Sequence, residues 1–246
     1  MAPEDIRPED FLDPDDPRIY EDVEQLVKRY GGEKAIFAHV WGVVENLYGF
    51  IGVEQTLLLM TLDPDLARDL FERLCEFSTR VARNLCAMGI DVLHISGDVG
   101  ANNAMIMSPD LWRTAVRPFD VRIIKPGREA GLPISLHSCG FVEPILPDLI
   151  EAGVQVVHPI QETAGMDQTE VKREFGDRLT IHGGLDVREL PRMTTEQVEA
   201  TVREKMATLK PGGGFIFNTG HTVQPDTPLE HVERAYAAAR EYGVYA

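Results

Sequence analysis

The sequence predicts an α/β chain of repeated β-α units, and three observations carry that prediction. Six short apolar runs, each bounded by turn residues, recur along the chain; helical patterns separate them; and no break in composition divides the whole. Such alternation demands parallel strands joined by crossover helices, either an open doubly wound sheet or a closed (β/α)8 barrel. A length of 246 residues suits one barrel as well as two smaller units.

The first eighteen residues, MAPEDIRPEDFLDPDDPR, are acidic and proline-rich and form an arm, either loose or wrapped on the domain. They lack both the basic start and the apolar run of a secretory signal. The expected strands then cover residues 36–40, 92–95, 134–136, 155–157, 179–181 and 214–217. Between the first two, Asp63 caps and Pro64 opens a helix. Its apolar residues Leu66, Leu70, Leu74, Phe77, Val81, Leu85 and Met88 recur every three or four positions, and Gly89 closes it. Cys75 and Cys86 fall within it as small packing residues. Further helices follow Ser108, Glu143, Asp167, Thr194 and Pro228. The Gly-rich stretch Lys210-Pro-Gly-Gly-Gly-Phe precedes a strand, the wrong context for a dinucleotide-binding turn, and reads as a tight αβ loop.

Charge removes whole classes of partner. There are 24 Lys and Arg against 40 Asp and Glu, a formal balance of −16, with 43% apolar and 26% charged residues. That excess repels a phosphate backbone and an anionic membrane surface, so no nucleic acid and no membrane is expected. Nor does any stretch approach the roughly 20 apolar residues needed to span a bilayer. Three cysteines leave one over from any pairing and make no disulfide framework, which points to a reducing, cytoplasmic setting.

The residues just past each apolar run carry the chemistry. In order these segments are His39-Val-Trp-Gly, Ser96-Gly-Asp-Val-Gly, His137-Ser-Cys-Gly, His158-Pro-Ile-Gln, His182-Gly-Gly-Leu-Asp and Asn218-Thr-Gly-His. Polar residues gathered at the carboxyl ends of parallel strands mark a site in α/β folds. In an extended backbone residues i and i+2 point the same way, so His137 and Cys139 can grip one metal ion from a single strand end. His221, after the last strand, is the candidate third ligand. Two nitrogens, one sulfur and an open fourth position make a catalytic rather than a structural zinc site.

Taken together, the segments Ser96-Gly-Asp-Val-Gly with Ser108-Pro, His137-Ser-Cys-Gly-Phe-Val, His158-Pro-Ile-Gln-Glu-Thr-Ala-Gly-Met-Asp, Gly183-Gly-Leu-Asp and Asn218-Thr-Gly-His resemble the uroporphyrinogen decarboxylase superfamily. That superfamily holds both uroporphyrinogen decarboxylases and zinc-dependent methyltransferases that exchange methyl groups with corrinoid proteins. The resemblance implies a (β/α)8 barrel over residues 19–246 with its site at the carboxyl ends of the strands. It also implies a chain that begins after the first barrel strands, so that residues 1–35 replace two strands, a partner copy in a homodimer completes the barrel, or the chain is a shortened relative.

Each branch leaves marks. His-x-Cys-Gly resembles the methyltransferases, whose histidine and cysteine bind zinc together with a third ligand that is usually a cysteine near the last strand; here His221 takes that place, a departure that either preserves a His2Cys site or abolishes the metal. Asn218-Thr-Gly-His with Glu230-His-Val resembles the decarboxylases. A porphyrinogen with eight carboxylates needs a concentration of Arg and Lys, yet Arg188 is the nearest cation to these strand ends. The favoured expectation is therefore methyl transfer between a small molecule and a corrinoid (cobalamin) on a partner protein, with zinc on His137, Cys139 and His221. Asp98 and Asp186 would orient a ligand histidine or act as acid and base. Gln161, Asn218, His158 and His182 would contact substrate, and Trp41 and Tyr48 would wall the pocket or pack in the core. A metal-free decarboxylase using His221 and Asp98, and a non-catalytic small-molecule-binding barrel, are the alternatives.

Overall fold

The computed structural model describes residues 2–7 and 10–245. Its longer strands are β1 (Phe37–Trp41), β2 (Val92–Ser96), β5 (Ile134–His137), β6 (Val156–His158), β7 (Thr180–Leu185) and β8 (Phe215–Thr219); β3 (Gly100–Ala101) and β4 (Ala104–Met105) are a two-stranded ribbon. The helices are α1 (Glu21–Tyr30), α2 (Val43–Ile51), α3 (Val53–Leu62), α4 (Pro64–Ala87), α5 (Pro109–Ala115), α6 (Arg117–Glu129), α7 (Leu146–Ala152), α8 (Gln168–Phe175), α9 (Thr195–Leu209) and α10 (Leu229–Tyr242).

The six longer strands make one sheet in the order β1-β2-β5-β6-β7-β8. Every crossover steps to the next strand in the same direction, and the order never reverses. That is the single winding of a (β/α)8 barrel, where a doubly wound sheet would turn back on itself. It settles the choice the β-α pattern left open.

The chain divides into two compact units. The first comprises Met1–Val99, Met105–His137 and Pro147–Val154. Here β1, β2 and β5 pair in parallel, with His39 opposite His94 and Ser96 opposite His137. Leu93, Ile95 and Ile134 are fully buried, as strands covered on both faces require. The α4 helix begins as expected, Asp63 accepting from the Leu66 N–H. Its buried stripe is Ala67, Leu70, Phe71, Leu74, Cys75, Ser78, Ala82 and Leu85, which lies against α6, with the Phe71 and Phe119 rings 5.8 Å apart. Cys75 is wholly buried and burial pushes its thiol up, as for a packing residue.

The acidic arm is wrapped onto this unit. Tyr20 donates to the Pro14 carbonyl at 2.5 Å, Arg80 to Asp15 at 2.6 Å and Asn84 to Pro14 at 2.9 Å, while the Phe11 ring lies 5.2 Å from Phe50. Residues 1, 8 and 9 of the arm lie outside the described residues. The described part of residues 1–35 contains 3₁₀ turns (Pro3–Asp5, Pro17–Tyr20) and α1 but no strand, so it does not replace two barrel strands. Its proline and acid content, without alternating β-branched residues, explains why.

The second unit comprises Gly100–Ala104, Ser138–Leu146 and Gln155–Ala246. β6, β7 and β8 pair in parallel, with Gly184 opposite Asn218. α9 and α10 pack together over Leu185, Leu190, Val198, Val202, Met206, Ala235 and Ala238. Thr194 and Gln197 form a reciprocal cap at the start of α9. The Gly-rich stretch is the α9–β8 loop, held where Lys172 donates to the Gly213 carbonyl.

All six expected strands form, but each ends beyond its apolar run. His137, His158, His182 and Asn218 lie in the strands rather than after them. Backbone pairing continues wherever the neighbouring strand offers partners, whatever the polarity of the side chain. No helix among the described residues is long and apolar enough to cross a membrane.

Candidate metal centre and adjoining cavity

The strand end of β5 delivers His137, and two residues on stands Cys139. Cys139 sits just before Gly140, whose φ of +83° turns the chain sharply. A Cβ on Gly140 would stand 2.3 Å from the Gly100 carbonyl carbon, and one on Gly100 would stand 2.3 Å from the Cys139 oxygen. Both glycines are therefore required for the β3 ribbon to close on this turn. Phe141 N–H donates to the Ala101 carbonyl at 2.9 Å. On the other side, Gly140 N–H donates to Gln161 Oε1 at 2.8 Å.

The ligand atoms of His137, Cys139 and His221 all lie within 4.8 Å of one another. Ligands about 2.0 to 2.3 Å from a tetrahedral ion stand roughly 3.5 Å apart, so small side-chain rotations bring this set onto one ion. Two imidazole nitrogens and a thiolate suit zinc, and the residues present therefore fit the metal expected from the sequence.

Asp98, after β2, places Oδ1 3.5 Å from His137 Nε2 and is 38% exposed. Its N–H donates to Glu45 Oε2 at 3.2 Å, and Ser96 Oγ donates to the same oxygen. Glu45 and Tyr48 come from α2, a helix that the apolar pattern does not reveal. The Tyr48 hydroxyl is buried without a hydrogen-bond partner among the described residues; burial, with Asp98 and Glu45 nearby, pushes its pKa up. Asp120, from the first turn of α6, tucks its carboxyl beneath Gly42, where a Cβ would stand 2.9 Å from Oδ1. Burial, reinforced by Glu45, pushes the Asp120 pKa up to about 7. Trp41 ends β1 and is 45% exposed, so it is no core residue.

In the second unit a cavity of about 360 Å³ opens beside Cys139 and His221, lined also by Gln161, Gln168, Asp186 and Arg188. Asp186 Oδ2 accepts from Thr163 Oγ1 at 2.6 Å and Oδ1 from Arg188 N–H at 2.8 Å, so its carboxylate is engaged by its own loops. Glu162, also on the lining, is paired with Lys205 at 2.6 Å. Gln161 lines the cavity. His158, His182 and Asn218 form a cluster. The two rings are 4.7 Å apart, His158 Nε2 is 3.1 Å from the Thr219 carbonyl, and Asn218 lies 3.3 Å from His182 Nε2 and accepts from Tyr236 at 2.7 Å. Burial, with His221 nearby, pushes the His158 imidazole down, against the bond to the Thr219 carbonyl.

This geometry accompanies a sequence match to the family model described as Uroporphyrinogen decarboxylase (URO-D), over residues 2–242. The chain belongs to the URO-D family. Within that family it is similar to proteins of both kinds. It is 25% identical over 226 residues to the methylcobamide:CoM methyltransferase MtaA of Methanosarcina barkeri, covering 92% of this chain and 64% of the relative. It is 30% identical over 182 residues to the uroporphyrinogen decarboxylase of Streptomyces avermitilis, covering 74% of this chain and 48% of the relative. The chain thus spans between about half and two thirds of these URO-D relatives. Among solved structures, a methyltransferase from Methanosarcina mazei superposes with a TM-score of 0.75 at 24% identity, over 93% of this chain and 65% of that one, and shares its fold.

Proposed function

We propose that this chain is a methyl-transferring member of the URO-D family, holding one zinc on His137, Cys139 and His221 and a small-molecule substrate in the adjoining cavity. The observation that carries this reading is the convergence of those three ligand atoms within 4.8 Å. When bound, zinc supplies Lewis acidity, which acidifies a thiol acceptor or polarises the heteroatom of a methylated donor.

The protein's own groups do the rest. His137, Cys139 and His221 leave one position of a tetrahedron for substrate. The Asp98 carboxylate beside His137 Nε2 offsets positive charge at that end of the set. The cavity next to Cys139 and His221 suits a compact substrate. Its lining pairs a single guanidinium, Arg188, with the carboxylates of Glu162 and Asp186, a poor match for a substrate carrying eight negative charges. A corrinoid, presented on a partner protein, is the other methyl carrier in this reading. A setting in the cytoplasm goes with it.

Metal analysis of the purified chain tests the proposal. About one zinc per chain, lost on Cys139→Ala and on His221→Ala, is expected; a chain that binds no zinc overturns it. Spectral titration with methylcobalamin and with a porphyrinogen then separates the two family activities. Binding of the porphyrinogen alone would make the chain decarboxylase-like.

A further inference from the structure

Cys139 sits on a turn bracketed by backbone bonds, Ser138 N–H donating to the His158 carbonyl at 3.0 Å and Phe141 N–H to the Ala101 carbonyl at 2.9 Å, while the Gly140 N–H between them is held by a side chain. Gly140 has the conformational freedom of a residue without Cβ, so nothing intrinsic fixes the plane of the Cys139–Gly140 peptide. Because a peptide unit is planar, anchoring the Gly140 N–H fixes that plane and so restricts the backbone rotations that set the direction of the Cys139 Cα–Cβ bond. The anchor is Gln161 Oε1, 2.8 Å from the Gly140 nitrogen.

Gln161 is itself committed at both ends. Its Nε2 donates to Thr163 Oγ1 at 3.1 Å, and Thr163 donates to Asp186 Oδ2 at 2.6 Å. Flipping the amide would set two donors face to face at Gly140, so this orientation is dictated by its neighbours. From Asp186 the network runs on through the Arg188 N–H, and Arg188 Nη1 donates to Asn102 Oδ1 at 3.2 Å. Asn102 follows Ala101, whose carbonyl accepts from Phe141, the residue after Gly140. The bonds close a ring through four loops; Gln161, Asp186 and Arg188 on that ring, and Cys139 next to it, all line the cavity.

We infer that Gln161 is a positioning residue: it holds the Cys139 thiol in place for the metal, and through Thr163 and Asp186 ties that placement to the walls of the substrate cavity. The inference rests on the zinc reading above. It gives Gln161 a structural task beside the substrate contact its place in the sequence suggests, since each end of its amide is engaged by the protein while the residue lines the cavity.

Cobalt(II) binding to the purified chain tests this without any turnover. Affinity is read by chelator competition, and the thiolate-to-cobalt absorption band reports the Cys139 bond. Gln161→Leu, which removes both hydrogen bonds, should weaken cobalt affinity by roughly 10- to 100-fold and diminish the band. Gln161→Glu, which keeps an acceptor for Gly140, should recover most of both. Thr163→Val, which releases Gln161 from the far side, should move both in the same direction by less, and serves if the leucine variant does not fold. Unchanged affinity and band in Gln161→Leu, or in Thr163→Val where that variant is the one that folds, would overturn the positioning role while leaving the metal site standing. A wild-type chain that binds no cobalt, or binds it undiminished after Cys139→Ala, would overturn both together.

Discussion

Asp98 and Asp186 look alike in the sequence, each standing shortly after an apolar run and a glycine, and the structure gives them different work. Asp98 joins a knot of acids in the first unit, where Glu45 takes the Ser96 hydroxyl and the Asp98 N–H and the Asp120 carboxyl is enclosed below Gly42. Asp186 faces an open cavity in the second unit and ends a chain of bonds that leads to the Cys139 turn. Proximity to a strand end thus marks both a region of clustered acids beside His137 and a region that opens on a cavity. The two carboxylates differ in where they point: Asp98 Oδ1 faces His137 Nε2 at 3.5 Å, whereas Asp186 accepts from the Thr163 hydroxyl and the Arg188 N–H on loops around a void.

The largest expected effect comes from the second unit's turn. Gly140→Ala forces a Cβ to 2.3 Å from the Gly100 carbonyl carbon at a φ of +83°. A collision with backbone, added to left-handed strain, should cost about 3 kcal/mol or more. Urea denaturation should show this loss together with loss of zinc. A variant as stable as the wild type would mean that the ribbon does not clamp the turn, and the contrast between the two regions would lose its sharpest feature.

The first unit's acids give an intermediate effect with a clear pH signature. The folded Asp120 carboxyl is raised to about 7 from 3.8, so the folded chain holds a proton that the unfolded chain releases. The stability this group contributes is complete below pH 3.8 and is lost as pH rises through about 7. Asp120→Asn removes that loss. Relative to the wild type, the variant should gain stability between about pH 4 and about pH 7, by on the order of a few kcal/mol, and then level off. Zinc content should stay the same. A gap that shrinks as pH rises would show that the carboxyl is not enclosed, and altered zinc content would place this knot in the metal site.

Much of this architecture is legible in the sequence because the signals are local. The β-α alternation places all six longer strands, the Asp63-Pro64 start places α4, and the i, i+2 spacing of His137 and Cys139 places two candidate ligands at one strand end. The illegible parts depend on tertiary partners. α2 and α3 are apolar on several faces and are divided only by Gly52, so no stripe announces two helices. Glu45 and Asp120 act through residues far away in the chain, as Thr163 does toward Asp186, and nothing in their own neighbourhoods reveals those bonds. The grouping of His158, His182 and Asn218 has the same origin: their strand-end positions are visible in the sequence, their partners are not.

The smallest expected effect tests whether the second unit's sensitivity belongs to its cavity ring or to the unit as a whole. Thr194 caps α9, accepting from the Gln197 N–H at 3.3 Å while the Gln197 side chain accepts from the Thr194 N–H at 2.7 Å. Thr194→Ala leaves one end of that box unmade, which costs about 1 kcal/mol at a helix N-terminus. Neither residue belongs to the bonded ring that runs from Gly140 through Gln161, Thr163 and Asp186 to Arg188. Denaturation should therefore register the loss while cobalt affinity stays at the wild-type value. If affinity fell in step with stability, the metal centre would be reporting the unit's overall firmness, and the special standing given to Gln161 and Gly140 would not hold.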